Sequence, residues 1–333
     1  MKFYIADAFT DKLFGGNPAG VVILDKNRDF PDAETMRKTA AELRYSETVF
    51  IQHPGEGIFN LRYFTPAGEV DLCGHATIAA FHCLREAGLA KAGTTVLNKT
   101  KAGDLDIEIS KDSILMDMAV PEYIGEINEE PALRELYKIM GLSYDENVPE
   151  LKRQCSANGG DGSGLRPEII STGLPDIIMP VADRRQLAAI SPDFAALAEL
   201  SGKYEAVGVH AFTLDGGQFR PVEEDGKSVS GSSDSDPQVS AFCRNFAPLY
   251  GIDEEAATGT SSGALTYYLI KNGLVVPIHS CDMASGICGS RADCLFIQGE
   301  AMNRPSAIRS RTDGMKIRVG GSAIILAEGD LNI

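Results

Sequence analysis

Arg62 to Leu89 reads RYFTPAGEVDLCGHATIAAFHCLREAGL, and Arg244 to Leu274 reads RNFAPLYGIDEEAATGTSSGALTYYLIKNGL. Both passages run Arg-x-Phe-x-Pro, then an acidic stretch, then a Gly-centred turn, then a helical pattern closing in Gly-Leu. The spacing from Gly74 to Gly88 equals that from Gly259 to Gly273, while the approach to the turn is three residues longer in the second copy. A repeated strand–turn–helix implies two similar halves. It also implies two helix N-termini facing one gap, and therefore a site between the halves.

Around this repeat the pattern reads as mixed α/β. Lys2–Phe9 alternates as a strand, and Gly20–Leu24 is a short β-branched apolar run of the kind found in buried strands. Residues 31–44 open on Pro31 and carry Met36, Ala40 and Leu43 at helical spacing. Residues 46–52 and 59–65 read as strands, His75–Ala87 as a helix with Gly88 just past its end, and 94–120 as an antiparallel meander. Residues 121–165 read as a polar, partly helical connection ending in a loop, NGGDGSG, which lacks the order of a nucleotide cradle. The order of elements then recurs: STGLPDIIMPV answers GGNPAGVVIL, and VGVHAFTL answers SETVFIQ. The tract 223–237 reads as a solvated loop.

With 333 residues, 44% hydrophobic and 23% charged, the chain is sized for two domains of soluble type. We place them at 1–125 and 126–333, with the last strands packing back across the first half. The net charge of −16 argues against nucleic acid or an anionic membrane as partner, because both need a basic face. No apolar run is long enough to span a bilayer, and the N-terminus lacks the apolar core of a signal peptide. Seven cysteines, an odd number without any C-x-x-C pair, read as free thiols in a reducing cytoplasm.

Four features carry the chemistry. The N–H groups and positive dipole end at Gly74, His75, Ala76 and Thr77 favour a carboxylate or phosphate, and His75 could donate to that anion or shuttle a proton. Gly259, Thr260 and Ser261 form the matching turn, although hydroxyl residues at a helix start also serve as caps. Glu47 shares a strand face with Val49, where poor solvation raises a carboxylate pKa and suits acid/base work; the alternative is a solvent face or a pairing with Arg44 or Arg62. Its counterpart in the second half is Val209 or His210, so the halves are chemically unequal. Asn17 and Ala19, in the rigid turn GNPAG, are candidate substrate contacts. The five histidines form no metal set.

With GNPAGVV, SETVF, RYFTPAGEVDLCGHATIAA, ATGTSSGAL and QGEAMNRPSAI…IRVGGSAIIL in view, the chain resembles the phenazine-biosynthesis PhzF-like family of the diaminopimelate epimerase-like fold superfamily. The resemblance implies two α/β halves, each a curved, mostly antiparallel sheet wrapped around a central helix. It implies a cofactor-independent isomerase with its cleft between the halves, a small carboxylate-bearing substrate, and a cytoplasmic homodimer. It places acid/base residues at Glu47, His75 and Glu255. Glu255 stands where the family pattern has Asp, Ala256 where it has Pro, and Thr260 where it has Ser. The two-cysteine chemistry of diaminopimelate epimerases is missing one thiol here, since the repeat aligns Cys73 with Thr258; Cys73 then reads as a residue packed beside the turn. A non-catalytic anion-binding protein of the same fold is the alternative.

Overall fold

The computed structural model describes the chain except for residues 27, 56, 158–163, 216–237, 282–287 and 315. The 223–237 tract and most of NGGDGSG therefore lie outside the described residues. The first half runs β1 (Lys2–Ala8), β2 (Asn17–Ile23), α1 (Ala33–Leu43), β3 (Thr48–Gly55), β4 (Ile58–Phe64), β5 (Glu69–Val70), α2 (Gly74–Glu86), β6 (Thr94–Thr100), β7 (Gly103–Ile109), β8 (Ile114–Asp117) and β9 (Glu122–Glu126). Helices α3 (Glu130–Ile139) and α4 (Tyr144–Ala157) lead into the second half. That half runs β10 (Glu168–Ser171), β11 (Pro175–Pro180), α5 (Arg184–Ala189), α6 (Phe194–Lys203), β12 (Val209–Thr213), β13 (Ala241–Ala247), β14 (Ile252–Glu255) and α7 (Gly259–Lys271). It ends with β15 (Ile278–Cys281), β16 (Cys288–Gln298), β17 (Ser306–Asp313), β18 (Lys316–Gly321) and β19 (Ala323–Asp330).

The strand pairings repeat. β2 and β3 are parallel, as are β11 and β12; β3–β4 and β12–β13 are antiparallel; β4–β6 and β13–β16 are parallel. Each half then wraps one helix whose residues are apolar nearly all round, the pattern of a fully enclosed helix. Ile78, Ala79, Ala80, Phe81, Cys83 and Leu84 of α2 are buried, as are Ala264, Leu265, Tyr268 and Leu269 of α7. Fully burying a side chain such as Phe81 or Leu265 contributes about 1.5–3 kcal/mol.

The halves are tied by exchanged strands. β9, which closes the first half, pairs with β10, and β19, which closes the chain, pairs with β1. β8 and β18, in equivalent places, pair with each other. The polar connection expected over 121–165 thus contains a strand, β9, whose partner lies more than forty residues on. In the β8–β18 seam a Cβ on Gly320 would lie 1.8 Å from the Ile114 carbonyl oxygen, so only glycine allows this approach.

The registers also fix which residues correspond. Gly20 and Ile177 occupy matching places, as do Val49 and His210, and Tyr63 and Asn245. Where the first half buries Ala19, Val49, Tyr63 and Ala76, the second buries Asp176, His210, Asn245 and Ser261. These four are joined: Ser261 Oγ donates to Asp176 Oδ2 at 2.5 Å, and Asn245 Nδ2 donates to Ser261 Oγ at 3.1 Å and lies 3.3 Å from His210 Nδ1. Burial pushes Asp176 up to about 7 and His210 down to about 3, so the imidazole is neutral. Among the described residues, no helix is long and apolar enough to cross a membrane.

Two expectations follow. Gly320→Ala destabilises the fold by about 3 kcal/mol or more through overpacking, measured by urea unfolding; a loss below about 1 kcal/mol contradicts the seam. Asp176 holds a proton in the folded state that the unfolded chain releases above its ordinary 3.8. Its contribution to stability therefore falls as pH rises from about 4 to about 7. Between pH 4 and pH 8 the stability of Asp176→Asn should rise relative to the unmodified protein, by up to about 4 kcal/mol; a difference that does not change with pH contradicts this.

Candidate active site

Helices α2 and α7 begin against each other: a Cβ on Gly74 would lie 3.9 Å from the Gly259 Cα. Neither start is capped by a side chain. Cys73 and Thr258 hold extended N-cap conformations without a side-chain cap bond. The Thr258 hydroxyl donates instead to Glu255 Oε2 at 2.7 Å. The N–H groups of Gly74, His75 and Ala76, and of Gly259, Thr260 and Ser261, thus precede the first i−4 carbonyls of their helices. Two positive dipole ends converge on one point.

Side chains from both halves gather there. Glu47 stands just before β3, and its Oε2 lies 3.2 Å from His75 Nε2. Glu255, at the end of β14, brings Oε1 to 3.6 Å from His75 Nδ1. Ser46 Oγ is 3.4 Å from Nε2, and Cys73 Sγ is 3.4 Å from Nδ1 and 3.8 Å from Nε2. Asn17 Nδ2 donates to Glu255 Oε1 and to the Ala257 carbonyl, both at 3.0 Å. Those two bonds use both of its hydrogens, so its 3.2 Å approach to His75 Nδ1 is not a donation to the ring. Gln298, from β16, closes the second half's side: Nε2 donates to the Glu255 carbonyl at 2.7 Å, and Oε1 accepts from the Thr258 N–H at 3.3 Å.

The electrostatics separate the two carboxylates. Burial alone would push Glu47 up, but the hydrogen bond and charge of His75, with Ser46, outweigh it, and its pKa ends below the ordinary value. This overturns the raised pKa expected from an apolar strand face, because the strand pattern does not show the imidazole opposite. Burial likewise opposes charge on His75, yet the Cys73 sulfur and the Glu47 carboxylate more than compensate and hold it well above the ordinary range. Burial raises Glu255, and His75 and Thr258 recover only part of that shift. Burial and the Glu47 charge raise Cys73, while His75 and the Ala76 N–H pull the other way.

The structure brings together Asn17, Glu47, Gly74, His75, Glu255, Gly259 and Thr260. Three expected contacts point elsewhere. Ala19 is enclosed beside β1, and Asn17 and Pro18 belong to β2 rather than to a separate turn. Thr77 spends its N–H and hydroxyl on the Cys73 carbonyl, at 3.0 and 2.7 Å, while Tyr63 Oη lies 2.7 Å from its Oγ1. The Ser261 hydroxyl turns back to Asp176, leaving only its backbone to the cleft. Arg62 pairs with Glu69 rather than with Glu47. The counterpart of Glu47 is also not Val209 or His210: the Glu47 carbonyl accepts from Gly20, and the matching carbonyl accepting from Ile177 is that of Gly208. A Cβ there would lie 1.9 Å from the Phe246 carbonyl oxygen, so the second half has no room for a side chain at this position. Ser46 and Gln298, the first residues of SETVF and QGEAMNRPSAI, join the site although they are not among the expected contacts.

Comparison with known proteins agrees with this architecture. A family model described as "Phenazine biosynthesis-like protein" matches residues 6–329. A Deinococcus radiodurans protein named "Uncharacterized isomerase" is 32% identical, with 98% of this chain and 96% of that protein aligned. A Bos taurus phenazine biosynthesis-like domain-containing protein is 29% identical over 99% of each. Among solved structures, a Bacillus anthracis PhzF-family protein superposes with a TM-score of 0.75 at 24% identity, covering 100% of this chain and 99% of its own. A hydroxyproline epimerase from Agrobacterium vitis, with bound trans-4-OH-L-proline, reaches 0.53 at 13% identity, covering 99% and 90%. These two show the shared diaminopimelate epimerase-like fold. The chain belongs to the phenazine biosynthesis-like protein family and is an isomerase.

Proposed function

We propose that this isomerase works without a cofactor, moving a proton within a small carboxylate-bearing molecule held between the two helix starts. The observation that carries the reading is the convergence of Glu47, His75 and Glu255, drawn from both halves, on two uncapped helix N-termini. The substrate carboxylate accepts from the N–H groups of residues 74–76 and 259–261. That contact stabilises negative charge developing at the adjacent carbon and so increases the acidity of its C–H.

The directions of the pKa shifts support a division of roles. Glu47, kept ionised by His75, is the base that takes the proton and returns it elsewhere on the same molecule. His75 is held as an imidazolium and balances the charge that passes to and from Glu47. Glu255, whose proton is retained to higher pH, is suited to donate to a polar substituent of the substrate. Asn17 fixes Glu255 in reach of the ring.

Incubation in D2O with a panel of small amino and unsaturated carboxylates, including trans-4-hydroxy-L-proline, should place deuterium on one compound, seen by proton NMR. Glu47→Gln should lower that exchange by at least about 100-fold, the scale of a lost general base, while binding stays within about tenfold. Exchange in Glu47→Gln at the unmodified rate contradicts the role of Glu47. Saturable binding without exchange contradicts proton transfer.

A further inference from the structure

The same cleft contains a second chemical possibility that the isomerase reading does not use. Cys73, His75 and Glu47 offer a sulfur, an imidazole nitrogen and a carboxylate oxygen within 4.8 Å of one another. The separations are 3.8 Å from Sγ to Nε2 and 3.2 Å from Oε2 to Nε2. Donors at ordinary zinc bond lengths in a tetrahedron are about 3.3–3.6 Å apart. The two separations from Nε2 thus differ from that span by a few tenths of an ångström at most. His75 is almost wholly enclosed, and Glu47 Oε2 is buried against the ring nitrogen, so neither donor is committed to solvent.

The surroundings suit a metal-bound imidazole. With Nε2 on the ion, Nδ1–H faces Glu255 Oε1 at 3.6 Å. A carboxylate behind a ligating histidine fixes its tautomer and raises its basicity. Three protein donors leave a fourth tetrahedral position, as at zinc sites that retain a water or an exchangeable ligand.

We propose that Glu47, Cys73 and His75 form a zinc-binding site in which Zn2+ occupies the catalytic base and reversibly blocks the enzyme. Binding displaces the Cys73 thiol proton and the Nε2 proton of the imidazolium to solvent, and the thiolate, the ring nitrogen and Glu47 Oε2 become ligands. Affinity therefore rises with pH. Zinc binding is independent of the proposed reaction; the block rests on the assignment of Glu47 as its base.

The test is titration of the metal-free, full-length protein with Zn2+, in parallel with Co2+ as a spectroscopic reporter. The expected result is one Zn2+ per chain with proton release, and a thiolate-to-Co2+ charge-transfer band. Cys73→Ser and His75→Asn should weaken binding by about 100-fold or more, beyond the loss typical of an outer partner, whereas His53→Gln, away from the cleft, should not. No saturable binding, a Co2+ complex without the thiolate band, or unchanged affinity in Cys73→Ser overturns the proposal. Should Cys73→Ser fail to fold, the Co2+ spectrum and the loss of affinity in Glu47→Gln decide. Deuterium exchange should stop at one equivalent of Zn2+ and return with chelator. Metal bound with exchange undiminished keeps the site but removes Glu47 as the base.

Discussion

Two helices starting nose to nose, at Gly74 and Gly259, set the terms for the rest of this molecule. Their positive ends repel, and their first N–H groups have no helical partners. Apolar packing enforces the arrangement: α2 and α7 are each enclosed by a sheet, and the β8–β18 seam joins those sheets beside the helix starts. Neutralising that point is left to carboxylates. Glu47 and Glu255 sit there, and His75 lies between them.

The pseudo-symmetry explains why only one half places a carboxylate at this strand entry. Glu47 approaches from the loop before β3, whereas the equivalent place before β12 is Gly208, pressed against the Phe246 carbonyl. In exchange, the second half contributes Glu255 and Thr258 directly and Gln298 as a brace. Its interior is also more polar, with Asp176, His210, Asn245 and Ser261 where the first half has Ala19, Val49, Tyr63 and Ala76. This cluster lies directly behind the start of α7, and the Glu255 charge adds to the cost that burial sets on charging Asp176.

Much of this was legible in the residues. The repeated Arg-x-Phe-x-Pro to Gly-Leu passage revealed two halves and two facing helix starts, and SETVF beside LCGHAT located Glu47 and His75. The failures have physical causes. β9 was missed because its partner β10 is remote in the chain and its own residues are largely exposed, which leaves no local period. The direction of the Glu47 shift was wrong because a strand face reports burial, not the imidazole opposite. Ser46 and Gln298 open the quoted stretches SETVF and QGEAMNRPSAI, but neither stretch reveals their contacts: each acts by touching a neighbour that the tertiary fold supplies. Thr77 and Ser261 lie on the right turns, but their side chains bond back into the protein.

The central claim is that one anion is held jointly by both helix starts. Backbone amide shifts of selectively labelled protein, followed while a small carboxylate such as trans-4-hydroxy-L-proline or benzoate is added, test it most directly. The account predicts that the N–H signals of Gly74, His75, Gly259 and Thr260 move together along one saturation curve. Signals moving at one helix only, or saturation accompanied by shifts confined to other parts of the chain, would contradict it.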